Sequence, residues 1–195
     1  NKNIREMIKI GILGDIGSGK SHVAKNFGYP VFNADTVVAE IYKKNKKSFS
    51  QINKILPNYF TKFPIKKDEL IKCILANKNN LKKITKIVHP LVRKQMENFI
   101  KKNKSKKFVI LDIPLFLENK LNMKNDVIIF IQSSQYNIAK RLLKRNNYNK
   151  KLINKFKQIQ LPLKIKKKMS DLIIKNNFSR KKASNDVKNI LKEIL

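Results

Sequence analysis

The residues most committed to chemistry in this chain are Gly14, Asp15, Ile16, Gly17, Ser18, Gly19, Lys20 and Ser21. Gly14, four intervening positions, Gly19, Lys20 and Ser21 fit the G-x-x-x-x-G-K-[ST] spacing of a loop that cradles phosphates. The backbone N–H groups of residues 15–21 are expected to turn into a concavity, and the helix that follows adds partial positive charge, which suits a β-phosphate. Lys20 has the length to reach β- and γ-phosphates, and Ser21 offers an oxygen to Mg²⁺. Gly17 and Gly19 admit backbone conformations that a Cβ would crowd. Asp15 puts a carboxylate beside polyphosphate. Its side chain is expected to point away from the cavity, with a neighbouring lysine as a possible salt-bridge partner.

Such a loop serves ATPases, GTPases and small-molecule kinases alike, so the remaining polar residues must decide between them. Asp35 closes the apolar stretch "PVFNAD", at the rim where open α/β sheets bind ligands. There it can orient an acceptor hydroxyl and take its proton; capping the helix "TVVAEIY" is the competing role. Asp112 ends "FVIL" and suits the carboxylate that organises Mg²⁺ in phosphate-loop enzymes. Arg141 and Arg145 are four apart in "NIAKRLLKR" and would share a helix face over the transferred phosphates, although a solvated basic face reads the same way. His89 precedes Pro90, where a structural cap for "LVRKQM" is the ordinary role. No His or Cys cluster accompanies it, so no transition-metal site is expected.

These residues need a scaffold. The apolar run Ile8 to Leu13 reads as a buried strand feeding a helix that begins near Lys20. Further strands are expected at residues 30–35, in "FVILDIPLFL", and in "DVIIFIQ" from Asp126. With helices between them, this order predicts an α/β fold of the P-loop NTPase type: a parallel β-sheet flanked by helices. Residues 36–106 are mostly helical in period and longer than one crossover requires, which predicts an inserted helical subdomain. Residues 137–165 are helical, basic and interrupted near residues 146–148, as a lid would be. The core is then 7–35 with 107–136 and 166–195.

The 195 residues are enough for one domain with insertions. No apolar run approaches the roughly 18 to 20 residues of a membrane span, and residues 1–13 lack a signal-peptide pattern, so a cytoplasmic protein is expected. The lone Cys73 agrees, reading as a small buried side chain. Residues 1–6 precede Met7, which suits a natural start, and read either as an upstream extension or as a non-native remnant. The 45 Lys and Arg against 13 Asp and Glu give a net charge of +32. That favours polyanions, but the lysines recur in nearly every segment, which reads as a usage bias more than a groove for nucleic acid. Nonspecific binding to nucleic acid at low salt is expected from charge alone.

The strings "IGILGDIGSGKS", "PVFNAD", "HPLVRKQM", "LDIPLFLE", "RLLKR" and "QLPLKIKKKMSDLIIKNN", in this order, resemble dephospho-CoA kinases over nearly the whole chain from Met7. The resemblance implies transfer of the ATP γ-phosphoryl group to the ribose 3′-hydroxyl of dephospho-CoA, giving CoA and ADP. It implies Asp35 as base, and Lys20, Ser21 and Mg²⁺ on the phosphates. Residues Gly14 to His22, together with Arg141 at the start of the lid and Asn176 near the adenine, form the ATP-binding set. His89 and Arg93 of the helical CoA-binding region, with Asp112, Pro114, Leu115 and Glu118, form the acceptor set. Asn33 departs from the family pattern by replacing the first acid of a usual "DAD"; Ala39 stands where a basic residue is frequent, Asp15 replaces a glycine, and His22 replaces a frequent Thr. The competing functions are a nucleoside monophosphate-type kinase and a nucleic-acid-binding ATPase. A monomer or weak homo-oligomer is expected.

Overall fold

A computed structural model of the chain describes residues 7–118, 120–121, 125–146 and 148–195. The extension expected at residues 1–6, and Asn147 within the expected lid interruption, lie outside the described residues. In chain order, β1 (Ile8–Gly14) leads into α1 (Lys20–Asn26), β2 (Val31–Asn33) and α2 (Ala34–Lys44). Then come α3 (Lys46–Ile55), α4 (Lys67–Ala76) and α5 (Asn80–Lys102). The chain continues with β3 (Phe108–Asp112), β4 (Val127–Gln132), α6 (Gln135–Leu143), α7 (Lys150–Gln158), α8 (Leu163–Lys168), β5 (Leu172–Lys175) and α9 (Arg180–Ile194).

The strands pair in the order β2-β3-β1-β4-β5, and every pairing is parallel. β3 is buried at all five positions, as a central strand covered on both faces must be. Ile10, Ile12, Ile110, Ile129 and Ile131 are fully buried and pack with Val23 and Ala24 of α1 and Val187 and Ile190 of α9. Each such side chain contributes about 1.5–3 kcal/mol of burial. β5 was not foreseen in the sequence: its four residues form an edge strand with only Ile174 buried.

Helix starts follow side-chain chemistry. Asn45, Ser134, Asn149 and Ser179 each accept an N–H from the first turn of α3, α6, α7 and α9 respectively. α5 differs from the expectation that Pro90 opens a new helix, because it runs unbroken through Pro90. Its buried stripe, Leu81, Ile84, Val88, Val92 and Met96, continues on both sides of the proline and holds the helix together. His89 is therefore mid-helix and caps nothing.

Among the described residues, one compact unit holds those of 7–33, 100–148 and 160–195, and carries the sheet. A second unit holds Ala34–Phe99 and Asn149–Ile159 and is helical. Within the second unit, Cys73 is fully buried, and Asn80, itself buried, donates its side-chain amide to the Cys73 carbonyl at 2.8 Å.

Candidate active site

β1 delivers the loop and α1 departs from it. Gly17 and Gly19 have φ of +88° and +90°, a region closed to most L residues. Space is also restricted there. A Cβ on Gly17 would lie 3.0 Å from Leu142 of α6, and one on Gly19 would lie 2.5 Å from Nδ2 of Asn176. The loop is thus wedged between α6 and the segment after β5.

Two loop N–H groups expected to face the concavity are engaged within the loop instead. Ile16 N–H donates to Oδ1 of Asp15 at 2.7 Å, and Ser18 N–H donates to the Asp15 carbonyl at 3.1 Å. A turn this tight holds its shape with its own acceptors. Asp15 is only 4% exposed, and its Oδ2 accepts the side-chain amide of Gln135 at 3.3 Å. These bonds account for a buried carboxylate at this position. Lys20 donates its ammonium to the carbonyls of Gly14, at 3.2 Å, and Asp15, at 2.8 Å, across the loop. His22 extends from α1 with a buried Nε2 that has no hydrogen-bond partner.

Ser21 and Asp112 meet beside the loop: the Ser21 hydroxyl donates to Oδ2 of Asp112 at 2.6 Å. Parallel register explains the third member of this group. Asn33 pairs with Asp112 across β2 and β3, and its amide donates to the same Oδ2 at 2.7 Å and to Ser21 Oγ at 3.4 Å. Asp112 is 3% exposed. A serine hydroxyl beside a buried carboxylate is a pair of hard oxygen donors of the kind Mg²⁺ takes alongside phosphates, so these residues fit that ion. Among the described residues, no group of three or more His, Cys, Asp or Glu could hold a metal ion.

A second cluster braces the loop from behind. The Ser18 carbonyl accepts from Ser133 Oγ at 2.8 Å and from Asn176 Nδ2 at 2.9 Å. Asn176 Oδ1 in turn accepts the N–H of Phe178 at 3.0 Å. Phe178 has φ of +67°, and Arg141 lies with its guanidinium carbon 4.2 Å from the Phe178 ring centroid, a cation–π contact. Arg145 is exposed and lies two residues past the end of α6 at Leu143. Ser133, Gln135 and Phe178 carry no motif signal in the sequence. The available signal is position, since Ser133 follows the carboxyl end of β4, the side of the sheet where parallel α/β folds bind ligands.

After β3, Pro114 and Leu115 are half-buried, and Phe116 fills the space above Gly11, where a Cβ would approach its ring to 2.7 Å. Glu118 closes this stretch, with Oε1 accepting from the Lys166 ammonium and from the Leu161 N–H, each at 2.8 Å.

Asp35, His89 and Arg93 belong to the second unit. Asp35 does not end a strand, as the sequence had suggested. β2 stops at Asn33 and Asp35 is an exposed residue in the first turn of α2, one past the helix's first residue. It therefore is not the cap either, but a carboxylate there is stabilised by the helix dipole. His89 is half-buried on α5, and Arg93 is exposed one turn later on the same face. Burial first, and then the Arg93 charge, hold the imidazole below its ordinary pKa. No described helix is long and apolar enough to cross a membrane.

A model of the dephospho-CoA kinase family matches residues 8–182. The dephospho-CoA kinase of Wolbachia pipientis wMel is 37% identical over 187 residues, covering 93% of this chain and 95% of that protein. A crystal structure from Thermus thermophilus superimposes with a TM-score of 0.79 at 24% identity, covering 98% of this chain and all of that one. The dephospho-CoA kinase from Campylobacter jejuni has the same fold, with a TM-score of 0.60 at 23% identity over 95% of this chain and 96% of that one.

Proposed function

The chain belongs to the dephospho-CoA kinase family, and we propose that its own residues divide the work of that reaction as follows. The activity is ATP-dependent phosphorylation of dephospho-CoA, with the ribose 3′-hydroxyl as the acceptor. The observation that most supports a phosphoryl-transfer site here is the 2.6 Å contact between Ser21 Oγ and Asp112 Oδ2 beside the loop.

Gly14 to His22 bind the ATP polyphosphate, and the Lys20 ammonium, now on loop carbonyls, turns to the β- and γ-phosphates. Arg141, steadied on Phe178, adds positive charge where negative charge spreads in the transition state. Asn176 serves the adenine side by fixing the loop. Ser21 and Asp112 would hold Mg²⁺, which when bound neutralises charge on the β- and γ-phosphates.

Asp35 accepts the proton of the 3′-hydroxyl as that oxygen attacks the γ-phosphorus. The bond from the γ-phosphorus to the β,γ-bridging oxygen breaks, and ADP leaves. Asp112, Pro114, Leu115 and Glu118, with His89 and Arg93 of the 36–106 CoA-binding insertion, position the acceptor. The 137–165 lid excludes water, so that ATP is not hydrolysed in place of transfer. The protein works in the cytoplasm as a monomer or weak homo-oligomer.

Coupled ADP release with and without dephospho-CoA, together with detection of CoA, tests this reading. Acceptor-dependent release with CoA as product is expected. Phosphorylation of AMP or CMP instead would move the protein to the nucleoside monophosphate kinases, and ATP turnover driven by RNA or DNA would replace the reading altogether.

A further inference from the structure

Lys166, on the short helix α8, is 1% exposed, which is exceptional for a lysine in a chain with so many solvated ones. Its ammonium is fully employed. It lies 2.8 Å from Oε1 of Glu118, 3.2 Å from Oε1 of Gln160 and 3.3 Å from the Pro114 carbonyl. Glu118 Oε1 also accepts the Leu161 N–H at 2.8 Å. Two stretches of chain therefore converge on one buried ion pair. The first is residues 114–118, which begin two positions after Asp112. The second is residues 160–161, which directly follow the 149–159 portion of the second unit that contains α7.

A buried ion pair with extra hydrogen bonds is a poor source of net stability compared with apolar packing, but it tolerates little displacement of either partner. We propose that Glu118 and Lys166 are a pair of positioning residues that fix the C-terminal root of the lid to the acceptor-side loop after β3, so that water exclusion and acceptor placement are set together. The proposal rests on the kinase reading given above. Neither side chain needs to touch a reacting atom. Lys166 acts through the Pro114 carbonyl and Gln160, and Glu118 acts through the backbone of Leu161.

The distinguishing quantity is the ratio of ADP formed to CoA formed. A loosened root lets water compete with the acceptor, whereas a merely structural role lowers the amount of folded enzyme and leaves this ratio alone. The variants are Lys166→Met, Lys166→Arg, Glu118→Gln and the double variant Glu118→Gln/Lys166→Met. The double variant leaves no buried unpaired charge, so it keeps the test open where a single variant fails to fold. The expected result is a ratio raised roughly 10- to 100-fold in Lys166→Met and in the double variant, as for small misplacements of reacting groups. KM for dephospho-CoA should rise more than KM for ATP, and Lys166→Arg should recover part of the coupling. A double variant that folds and transfers with the wild-type ratio would overturn the proposal. So would single variants whose folded fraction keeps that ratio.

If wild-type protein makes no CoA, the acceptor assignment fails instead. The pair is then judged on trypsin cleavage within residues 149–159, with and without a non-hydrolysable ATP analogue. Protection by the analogue in wild type that is lost in the double variant supports the root contact, and equal protection in both refutes it.

Discussion

Ser21 and Asp112 are 91 residues apart in sequence, yet the hydroxyl of one and the carboxylate of the other are 2.6 Å apart, with the Asn33 amide donating to the same oxygen at 2.7 Å. The sheet order makes this possible. β3 lies between β1 and β2, so its last residue sits between the loop that leaves β1 and the end of β2. Replacing Asp112 by Asn retains shape and removes the charge. The expected outcome is a fall in kcat/KM of roughly 100- to 1,000-fold, the range for losing one preorganised electrostatic contact. The Mg²⁺ concentration for half-maximal rate should rise as well, and steady-state rates across a Mg²⁺ series measure both.

Asn33→Asp is expected to act in the opposite sense on metal dependence. It would place a second carboxylate against Asp112, and two like charges at hydrogen-bond distance repel unless a proton or cation lies between them. Thermal melts with EDTA should show the variant below wild type, and added Mg²⁺ should close most of the gap. Equal melting of the two proteins in EDTA would count against the shared site.

Asp35→Asn tests the proposed base separately from nucleotide binding. Loss of a positioned general base costs about 100- to 10,000-fold, and this should appear in kcat with little change in KM for ATP, because the phosphate loop is untouched. Initial rates with each substrate varied, alongside direct ATP-analogue binding, give both numbers. An unimpaired variant would return Asp35 to its other physical role, that of a carboxylate stabilising the first turn of α2.

Much of this geometry was legible in the sequence. Four strands announce themselves by continuous apolar runs, and the loop by its glycines, because both signals are local. β5 is not legible in the sequence, since an edge strand of four residues with alternate positions exposed carries little hydrophobic signal. Asp35 looks like a strand end in the sequence, but β2 is only three residues long and the helix takes over at Ala34. Pro90 looked like a helix start, and the packing of α5 on both sides overrides that local preference. The interactions that sequence could not supply are the long-range ones: Gln135 on Asp15, Ser133 on Ser18 and Lys166 on Glu118 each depend on which strand neighbours which.

Stability should also fall with acid through His89. Burial and the Arg93 charge hold its folded pKa below the ordinary value of about 6.5. Between that value and the lowered one, the unfolded chain binds a proton that the folded chain does not, so stability drops as pH falls through this window. Above it, both states are neutral at His89 and the contribution is flat. Urea midpoints measured on either side of the window, for wild type and His89→Gln, should differ in slope, with the variant losing part of the acid sensitivity.

Asn176 is 5% exposed and has both ends of its amide engaged, one on the Ser18 carbonyl and the other on the Phe178 N–H. It supports the loop and also sets the ring that steadies Arg141. Asn176→Ala removes a donor and an acceptor from a buried place, which costs about 1–3 kcal/mol for each group left unsatisfied. The Ser18 carbonyl keeps its bond from Ser133, while the Phe178 N–H loses Oδ1. The effect should therefore be larger at Phe178 and Arg141 than at the loop. Thermal melts should show clear destabilisation. In steady-state kinetics KM for ATP should rise several-fold and kcat should fall, with KM for dephospho-CoA nearly unchanged. Ser133→Ala should be milder, because the Asn176 amide remains on the Ser18 carbonyl, and the two substitutions together should cost more than the sum of each alone, since they share that acceptor. Strict additivity would mean that the two side chains support the loop independently.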